Sequence, residues 1–400
     1  MGQPSECRTG SFPDPGGSQT VIVLGAGLVG LASAWWLQRH GHRVLLVDPG
    51  VGADEASDES GNEPQTPSPD NSNLTGSQAA LGVVMARVFH RSRGRSWSLR
   101  QHSLRLWAQW RQILADRGET LPWRPGLLLL ASDTVELERH RALVADPARQ
   151  GMGLEFWGQD RLEALSPSAP KALGGLFSAA DGQLDPGRTL RALQRDGITT
   201  GLCCRSGRAA ALEARDKGWQ VHLEGGEVED AEWILVCAGM ASSSILDSLG
   251  VNQAMEPVLG QALELELATH DSDPQTVGAD WNWPGAVVLG GINLIPRPDL
   301  EGGRRFWMGA TLETGLDADP ARLDSMRTLS GAAPAWLVSA RERRRWQGLR
   351  CRPVGQPAPL LEEVAPGVLL LSGHYRNGML LAPASADWAL QRMAAAGRIF

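Results

Sequence analysis

Residues 21 to 48 read VIVLGAGLVGLASAWWLQRHGHRVLLVD, and this stretch restricts the chain to a narrow set of folds. Val21 to Leu24 is a short apolar run rich in β-branched residues, the mark of a buried strand. It leads directly into Gly25-Ala26-Gly27-Leu28-Val29-Gly30, a G-x-G-x-x-G turn that opens a helix. Gly25 permits the tight turn, Gly27 lets the backbone approach a pyrophosphate, and Gly30 lets helix and strand pack closely. The free N–H groups at the helix start then face the phosphates, and the helix dipole favours their charge. A second strand, Arg43 to Val47, ends at Asp48, placed to accept hydrogen bonds from a ribose diol. In this order the features predict a dinucleotide-binding βαβ unit.

Four hundred residues exceed the size at which a single core stops growing, so two domains are expected. A formal charge of −7 with mixed signs argues against nucleic acid as a partner. No apolar run approaches the ~20 residues of a membrane-spanning helix, so no membrane partner is expected. The first twenty residues are polar and show no secretory h-region. Cys7, Cys203, Cys204, Cys237 and Cys351 lack metal-ligand spacing, and their odd number does not suggest a disulfide framework. No metal is expected, and Cys203-Cys204 reads as two small strand residues on opposite faces. The chain reads as cytoplasmic; a homo-oligomer stays open.

Residues 1–19 read as a flexible N-terminus. Residues 50–73 read as an acidic flexible loop, with Asp54, Glu55, Asp58, Glu59 and Glu63 among Ser, Pro, Gly and Asn. TGSQAALGVVMA at 75–86 is a small-residue stretch suited to close approach by a bulky planar group. The pattern from Ser96 to Gly118 predicts a helix whose tryptophans belong to the core. Leu127–Ala131 predicts a strand, and 135–146 a charged helix. Asp185 and Pro186 predict an N-cap and first turn. Trp219–Leu223 and 232–237 predict strands, 256–309 an antiparallel sheet, and 321–329 and 334–346 helices.

The landmarks GAGLVG at 25–30, GQLDPGRTLRAL at 182–193 and ILVCAGMASSSIL at 234–246 arrive in a family order. EPVLGQALELEL at 256–267, IPRPDLEGGRRFWMGATLETG at 295–315, WQGLR at 346–350 and SGHYRNGMLLAP at 372–383 continue it. The chain resembles the D-amino-acid-oxidase family of FAD-dependent oxidoreductases, and HYRNGMLLAP points to its glycine-oxidase branch. The resemblance implies an α/β fold: a Rossmann-like FAD-binding domain interleaved with an antiparallel-sheet substrate domain. The first would comprise 20–100, 182–255 and 346–395, the second 101–181 and 256–345.

Carried over by residue, non-covalent FAD would meet Gly25, Gly27, Leu28, Val29 and Gly30 at its phosphates. Asp48 and Pro49 would lie by the adenosine ribose. Gly76, Ser77, Leu81, Gly82 and Val83 would line the pyrophosphate and flavin, though Gln78 and Leu81 are bulkier than the family's small residues. Ala210 would make a backbone contact to adenine, and Gly239 would join the cofactor set. His374, Tyr375, Arg376, Asn377, Gly378, Met379 and Leu380 would turn beneath the pyrimidine end.

Arg350 and Arg376 match the family's substrate arginines, which offer a carboxylate a planar fork of donors that lysine lacks. The residues alone also admit other readings: Arg350 at the exit of a solvated basic helix, and Arg376 on a surface turn. Asn293 stands where the glycine-oxidase pattern has a substrate-holding tyrosine, and Cys351 and Arg352 replace the usual Pro and Gly. The resemblance implies oxidation of a small amino-acid substrate, glycine first, to an imine that hydrolyses to glyoxylate and ammonia. In a thiamine pathway the imine would instead feed thiazole synthesis. Flavin N5 would carry the chemistry without a catalytic side chain, and molecular oxygen would be the electron acceptor, giving hydrogen peroxide. The alternatives are a D-amino-acid dehydrogenase or sarcosine-type amine oxidase of the same family, or a tRNA-modifying FAD domain. The last should show a basic tract, for which Arg341 to Arg352 is the candidate.

Overall fold

The computed structural model describes residues 18–51, 73–267, 281–300 and 304–396. The expected N-terminal tail and nearly all of the expected acidic loop lie outside these residues. Among the described residues, two large sheets organise the chain. The first has six strands in the order Leu360–Ala365, Val368–Ser372, Trp233–Val236, Thr20–Leu24, Arg43–Val47 and Cys203–Arg205. All neighbours in it run parallel except the outer pair Leu360–Ala365 and Val368–Ser372.

Alternation along its central strand separates two apolar cores, because successive side chains point to opposite faces. Val21 and Val23 pack among residues of the helices Leu28–Arg39, Arg95–Ala115 and Gly378–Ala396. Ile22 and Leu24 pack among Leu212, Trp219 and Val221 of a three-stranded sheet and Ile245 and Leu246 of a short helix. Four indoles tie the first core together. Trp110 lies 4.8 Å from Trp35, 5.1 Å from Trp36 and 5.6 Å from Trp107, ring centre to ring centre. Aromatic pairs at such separations add to simple area burial, and they confirm a core role for the buried tryptophans of this helix.

The second sheet has eleven strands and is mostly antiparallel. Met255–Glu266 is its spine, pairing with Arg341–Pro353 on one side and Arg305–Gly309 on the other. Ala286–Leu289, Ile292–Arg297, Trp123–Ala131 and Gly174–Leu184 extend it. The Asp185 carboxylate caps the helix Pro186–Thr199 by accepting from Arg188 N–H at 2.8 Å, as Asp-Pro predicts.

The helix expected over 334–346 is overturned. A single short helix, Ala335–Val338, is followed by the strand Arg341–Pro353. Arg and Glu favour helix intrinsically, but the facing strand outweighs that preference by offering carboxylates across the ladder. Arg343 pairs with Glu266 and Arg352 with Glu256, both on the spine. Trp346 and Gly348 turn inward. Arg350 therefore sits in the middle of a long strand and not at the exit of a basic helix.

Candidate active site

The glycine turn sits at the C-terminal ends of three parallel strands. Gly25 N–H donates to Val47 C=O at 2.8 Å, and Cys237 N–H donates to Leu24 C=O at 2.8 Å. At φ +106° Gly25 occupies a region closed to most side chains, and a Cβ there would meet Cys237 O at 2.7 Å. A Cβ at Gly30 would lie 1.9 Å from Gly25 O, so this glycine sets how tightly helix packs on turn. Gly27 differs: its nearest neighbour would be Ser77 Oγ at 3.2 Å. A Cβ at Gly27 would thus press on a side-chain hydroxyl, whereas at Gly25 and Gly30 it would meet backbone.

Leu31 N–H bonds back to Gly27 C=O at 2.9 Å, leaving the N–H groups of the first turn without partners inside the helix. Gly27 brings no capping side chain, and the first turn holds no acid. Ser77 Oγ accepts from Leu28 N–H at 2.8 Å, fixing the 75–83 stretch against the turn. Asp48 accepts from Ala26 N–H at 2.8 Å through one carboxylate oxygen and from Gly50 N–H at 2.7 Å through the other. It thus holds the glycine turn and Pro49 together. Asp48 C=O accepts from Gly207 N–H at 3.3 Å, which leads to Ala210, exposed on the strand Ala209–Arg215.

The 75–83 stretch is pressed between the sheets. Asn73–Leu74 pairs with Gln347–Gly348, and Trp346 Nε1–H donates to Ala79 C=O at 3.1 Å. A Cβ on Gly76 would meet Leu349 O at 2.8 Å. Leu81 is buried, Val83 pairs with Gln183, and Gly82 C=O accepts from Leu184 N–H at 3.0 Å. Residues 75–83 therefore touch both the glycine turn and the strand that carries Arg350.

The C-terminal turn closes the site. Gly239 C=O accepts from Ser372 Oγ–H at 3.3 Å, at the end of the Val368–Ser372 strand. Tyr375 holds φ +55°, uncommon outside glycine, and its N–H donates to Cys351 C=O at 3.2 Å. The His374 side chain is buried and paired with Ser385 Oγ at 2.8 Å. Burial, then the charge of Arg95, lowers its pKa to about 4. It is a neutral anchor for the turn, and its backbone leads to Asn377 and the helix of Gly378, Met379 and Leu380.

Arg350 and Arg376 come together where strand and turn meet. Arg350 Nη1–H donates to the carbonyls of Leu259 (3.2 Å) and Thr311 (3.1 Å). Its side chain lies over Gly260, where a Cβ would collide with the guanidinium at 2.3 Å. Burial first and the charge of Arg376 second lower the Arg350 pKa to about 10, so it stays cationic at neutral pH. Arg376 Nη2–H donates to Gly291 C=O at 3.0 Å, in the hairpin turn that carries Asn293. Asn293 Nδ2–H is bound to Gly309 C=O at 2.9 Å. Among the described residues no carboxylate lies within ion-pair distance of Arg350 or Arg376.

Two groups escaped the sequence reading. Asp181, fully buried, accepts from the N–H groups of Ala86 (2.8 Å), Arg87 (2.9 Å) and Val88 (3.1 Å). Burial raises its pKa against the opposing pull of these bonds. Arg100, also buried, donates to Met85 C=O at 2.8 Å and to Asn377 Oδ1 at 2.9 Å. Asp181 serves backbone groups and Arg100 one carbonyl and one distant side chain, and no motif spacing betrays such partners. A buried-face position for Arg100 on its helix was the available signal.

The glycine turn, the 75–83 stretch packed against it and two neighbouring arginines match the expectation of a flavin-dependent oxidoreductase. The chain belongs to the family of FAD-dependent oxidoreductases, the D-amino-acid-oxidase family, which matches residues 20–392. It is 29% identical over 381 residues to a glycine oxidase of Pseudomonas aeruginosa, covering 92% of this chain and 93% of that one. It is 30% identical over 287 residues to a bifunctional protein of tRNA 5-methylaminomethyl-2-thiouridine biosynthesis from Cupriavidus necator, covering 71% of this chain and 39% of that one. Among solved structures, glycine oxidase from Geobacillus kaustophilus superposes with a TM-score of 0.74 at 19% identity. The match covers 94% of this chain and 95% of that one, a likeness of fold. The protein is an FAD-dependent enzyme acting on amino-acid or amine donors. The site fits the cofactor, since Gly27 brings no side chain to the helix start, the first turn holds no acid, and the group that bonds Leu28 N–H is the small hydroxyl of Ser77. Among the described residues no cluster of His, Cys, Asp or Glu is arranged for a metal, and no helix is long and apolar enough to cross a membrane.

Proposed function

We propose that this enzyme oxidises the Cα–N bond of a small amino acid, with glycine as the first candidate. The observation that carries the reading is Arg350. A largely buried guanidinium beside a second one, with carbonyls as its hydrogen-bond partners, leaves a cationic site that an anion can complete. A substrate carboxylate supplies that anion, and the planar forks of Arg350 and Arg376 hold it in one orientation. Bound FAD supplies the two-electron acceptor. Fixing the carboxylate leaves the α-carbon and amine as the part of the substrate free to face it, which is the orientation term of catalysis. The amino acid gives up two electrons and two protons and leaves as an imine, which water hydrolyses to glyoxylate and ammonia when glycine is the substrate. Molecular oxygen takes the electrons and protons as hydrogen peroxide. Gly25, Gly27 to Gly30, Asp48, Pro49, Gly76, Ser77, Leu81 to Val83, Ala210, Gly239 and His374 to Leu380 belong to this reading as the FAD contacts.

The likeness to the tRNA-biosynthesis protein raises a second reading, an aminomethyl group on a nucleic acid. The arginine-rich strand argues against it. Arg343 and Arg352 are paired with Glu266 and Glu256, and Arg345 lies 3.1 Å from Glu342, so half of the six arginines in the strip are already neutralised. Peroxide formation measured against glycine, sarcosine, D-amino acids and a simple amine, with and without an artificial acceptor, separates the candidates. Glycine turnover with oxygen supports the proposal, turnover with the acceptor alone indicates a dehydrogenase, and no turnover of any carboxylate-bearing amine overturns it.

A further inference from the structure

Met85 to Phe89 is irregular backbone that follows the 75–83 wall directly. Buried peptide groups outside a ladder must find partners elsewhere. Here charged side chains supply most of them. Asp181 takes the N–H groups of residues 86 to 88, and Gln101 Nε2–H donates to Ala86 C=O at 3.1 Å. Arg149 donates to the carbonyls of Arg87 and Phe89, and Arg100 to that of Met85. Asp181, Arg100 and Arg149 are all buried.

Arg100 does more than satisfy a carbonyl. Its second terminal nitrogen reaches Asn377 Oδ1, and its plane lies over the Phe89 ring at 4.1 Å. Asn377 C=O accepts from Leu381 N–H at 2.8 Å, so Asn377 marks the start of the C-terminal helix. One rigid fork thus joins the wall to the turn. Each end is a single hydrogen bond from a different nitrogen of the same plane, so the separation of the two segments is tied to the width of a guanidinium.

We propose that Arg100 is a positioning residue that sets the gap between these two segments and thereby the grip on FAD. The proposal rests on the reading that the 76–83 stretch and the 374–380 turn flank the flavin. Lysine at this position keeps the charge but has one nitrogen for two partners.

The test uses holoenzyme diluted into cofactor-free buffer, with FAD release followed by the rise in flavin fluorescence. Arg100→Lys and Arg100→Met should each release FAD at least about tenfold faster than the parent, the loss expected for a hydrogen bond to a charged group. Arg117→Met, which removes an ion pair to Asp196 and touches neither segment, sets the rate that general destabilisation produces. The double variant Arg100→Met/Asn377→Ala should release FAD no faster than the faster single variant, because both cut one link. Multiplicative effects in the double variant overturn the proposal, as does Arg100→Met release no faster than that of Arg117→Met. If Asn377→Ala speeds release and Arg100→Met does not, the positioning role alone fails. If neither does, the reading of the turn as a flavin-flanking segment fails with it.

Discussion

In the proposed site, the glycine turn at 25–30 and the arginine pair at 350 and 376 act by opposite means. The turn works through backbone: Gly25 adopts φ +106°, Gly30 packs against Gly25 O, and the helix start points its N–H groups outward. The arginines work through side chains brought from a sheet strand and a C-terminal turn, each steadied by carbonyls of other elements. A backbone device is written in consecutive residues and recurs wherever a dinucleotide is bound. A side-chain device depends on distant partners, here the carbonyls of Leu259, Thr311 and Gly291.

The comparison can be broken first at the turn. Gly27→Val should leave a folded protein that no longer retains FAD, because its Cβ would press on the Ser77 hydroxyl and not on backbone, while its methyl groups would occupy cofactor space. Gly30→Val should instead lose the fold, since its Cβ meets Gly25 O. Circular dichroism with the flavin absorbance of the purified proteins separates the two outcomes. A yellow Gly27→Val protein would show that the cofactor lies elsewhere.

On the other side, Arg350→Met should cost about 2–5 kcal/mol in kcat/KM for glycine, as expected when a desolvated charge pair loses a partner. Flavin content should be unchanged. A simple amine lacking the carboxylate should lose far less, and equal losses for both would remove Arg350 from substrate capture.

Between the two regions lies His374, and pH examines it. Its folded pKa of about 4 lies below the ordinary value of 6.5, so neutral imidazole is favoured inside. Above 6.5 the group contributes no pH dependence. As pH falls toward 4 the unfolded chain takes up a proton that the folded one refuses, and stability drops by on the order of 3 kcal/mol. The melting temperature of the parent should decline over that window, and His374→Asn should flatten the decline. A parallel decline in both would assign it to other groups.

The smallest effect is expected at Asn293. Asn293→Tyr should lower KM for glycine a few-fold and disfavour bulkier amino acids, by restoring the phenol that the related pattern has there. An unchanged substrate profile would show that Asn293, held by Gly309 C=O, stands apart from the carboxylate.

Legibility followed the same division. Strand, turn, helix and second strand at the N-terminus were readable because local sequence and final geometry agree residue by residue. So was the Asp185 cap. The strand Arg341–Pro353 was misread as helix over its first half, because its deciding partners lie some eighty residues earlier on Met255–Glu266. Local propensity sees the arginines but not the glutamates across the ladder. Arg100 and Asp181 were invisible for a related reason, since Asp181 recognises main-chain groups that carry no residue identity and Arg100 adds to one such group a side chain far along the chain.

The tryptophan cluster gives the molecule an optical property of its own. Trp35, Trp36, Trp107 and Trp110 are close enough, and at sufficiently different tilts, for their electronic transitions to couple. Such a group gives a near-ultraviolet circular dichroism signal that exists only while the helices Leu28–Arg39 and Arg95–Ala115 are docked. Indole emission overlaps the absorption of oxidised flavin, and Leu28–Arg39 is the helix that opens from the glycine turn proposed to hold the cofactor. Excited tryptophans there become donors to the cofactor, so loss of FAD brightens the protein while loss of packing erases its dichroism, and each event can be timed without a label.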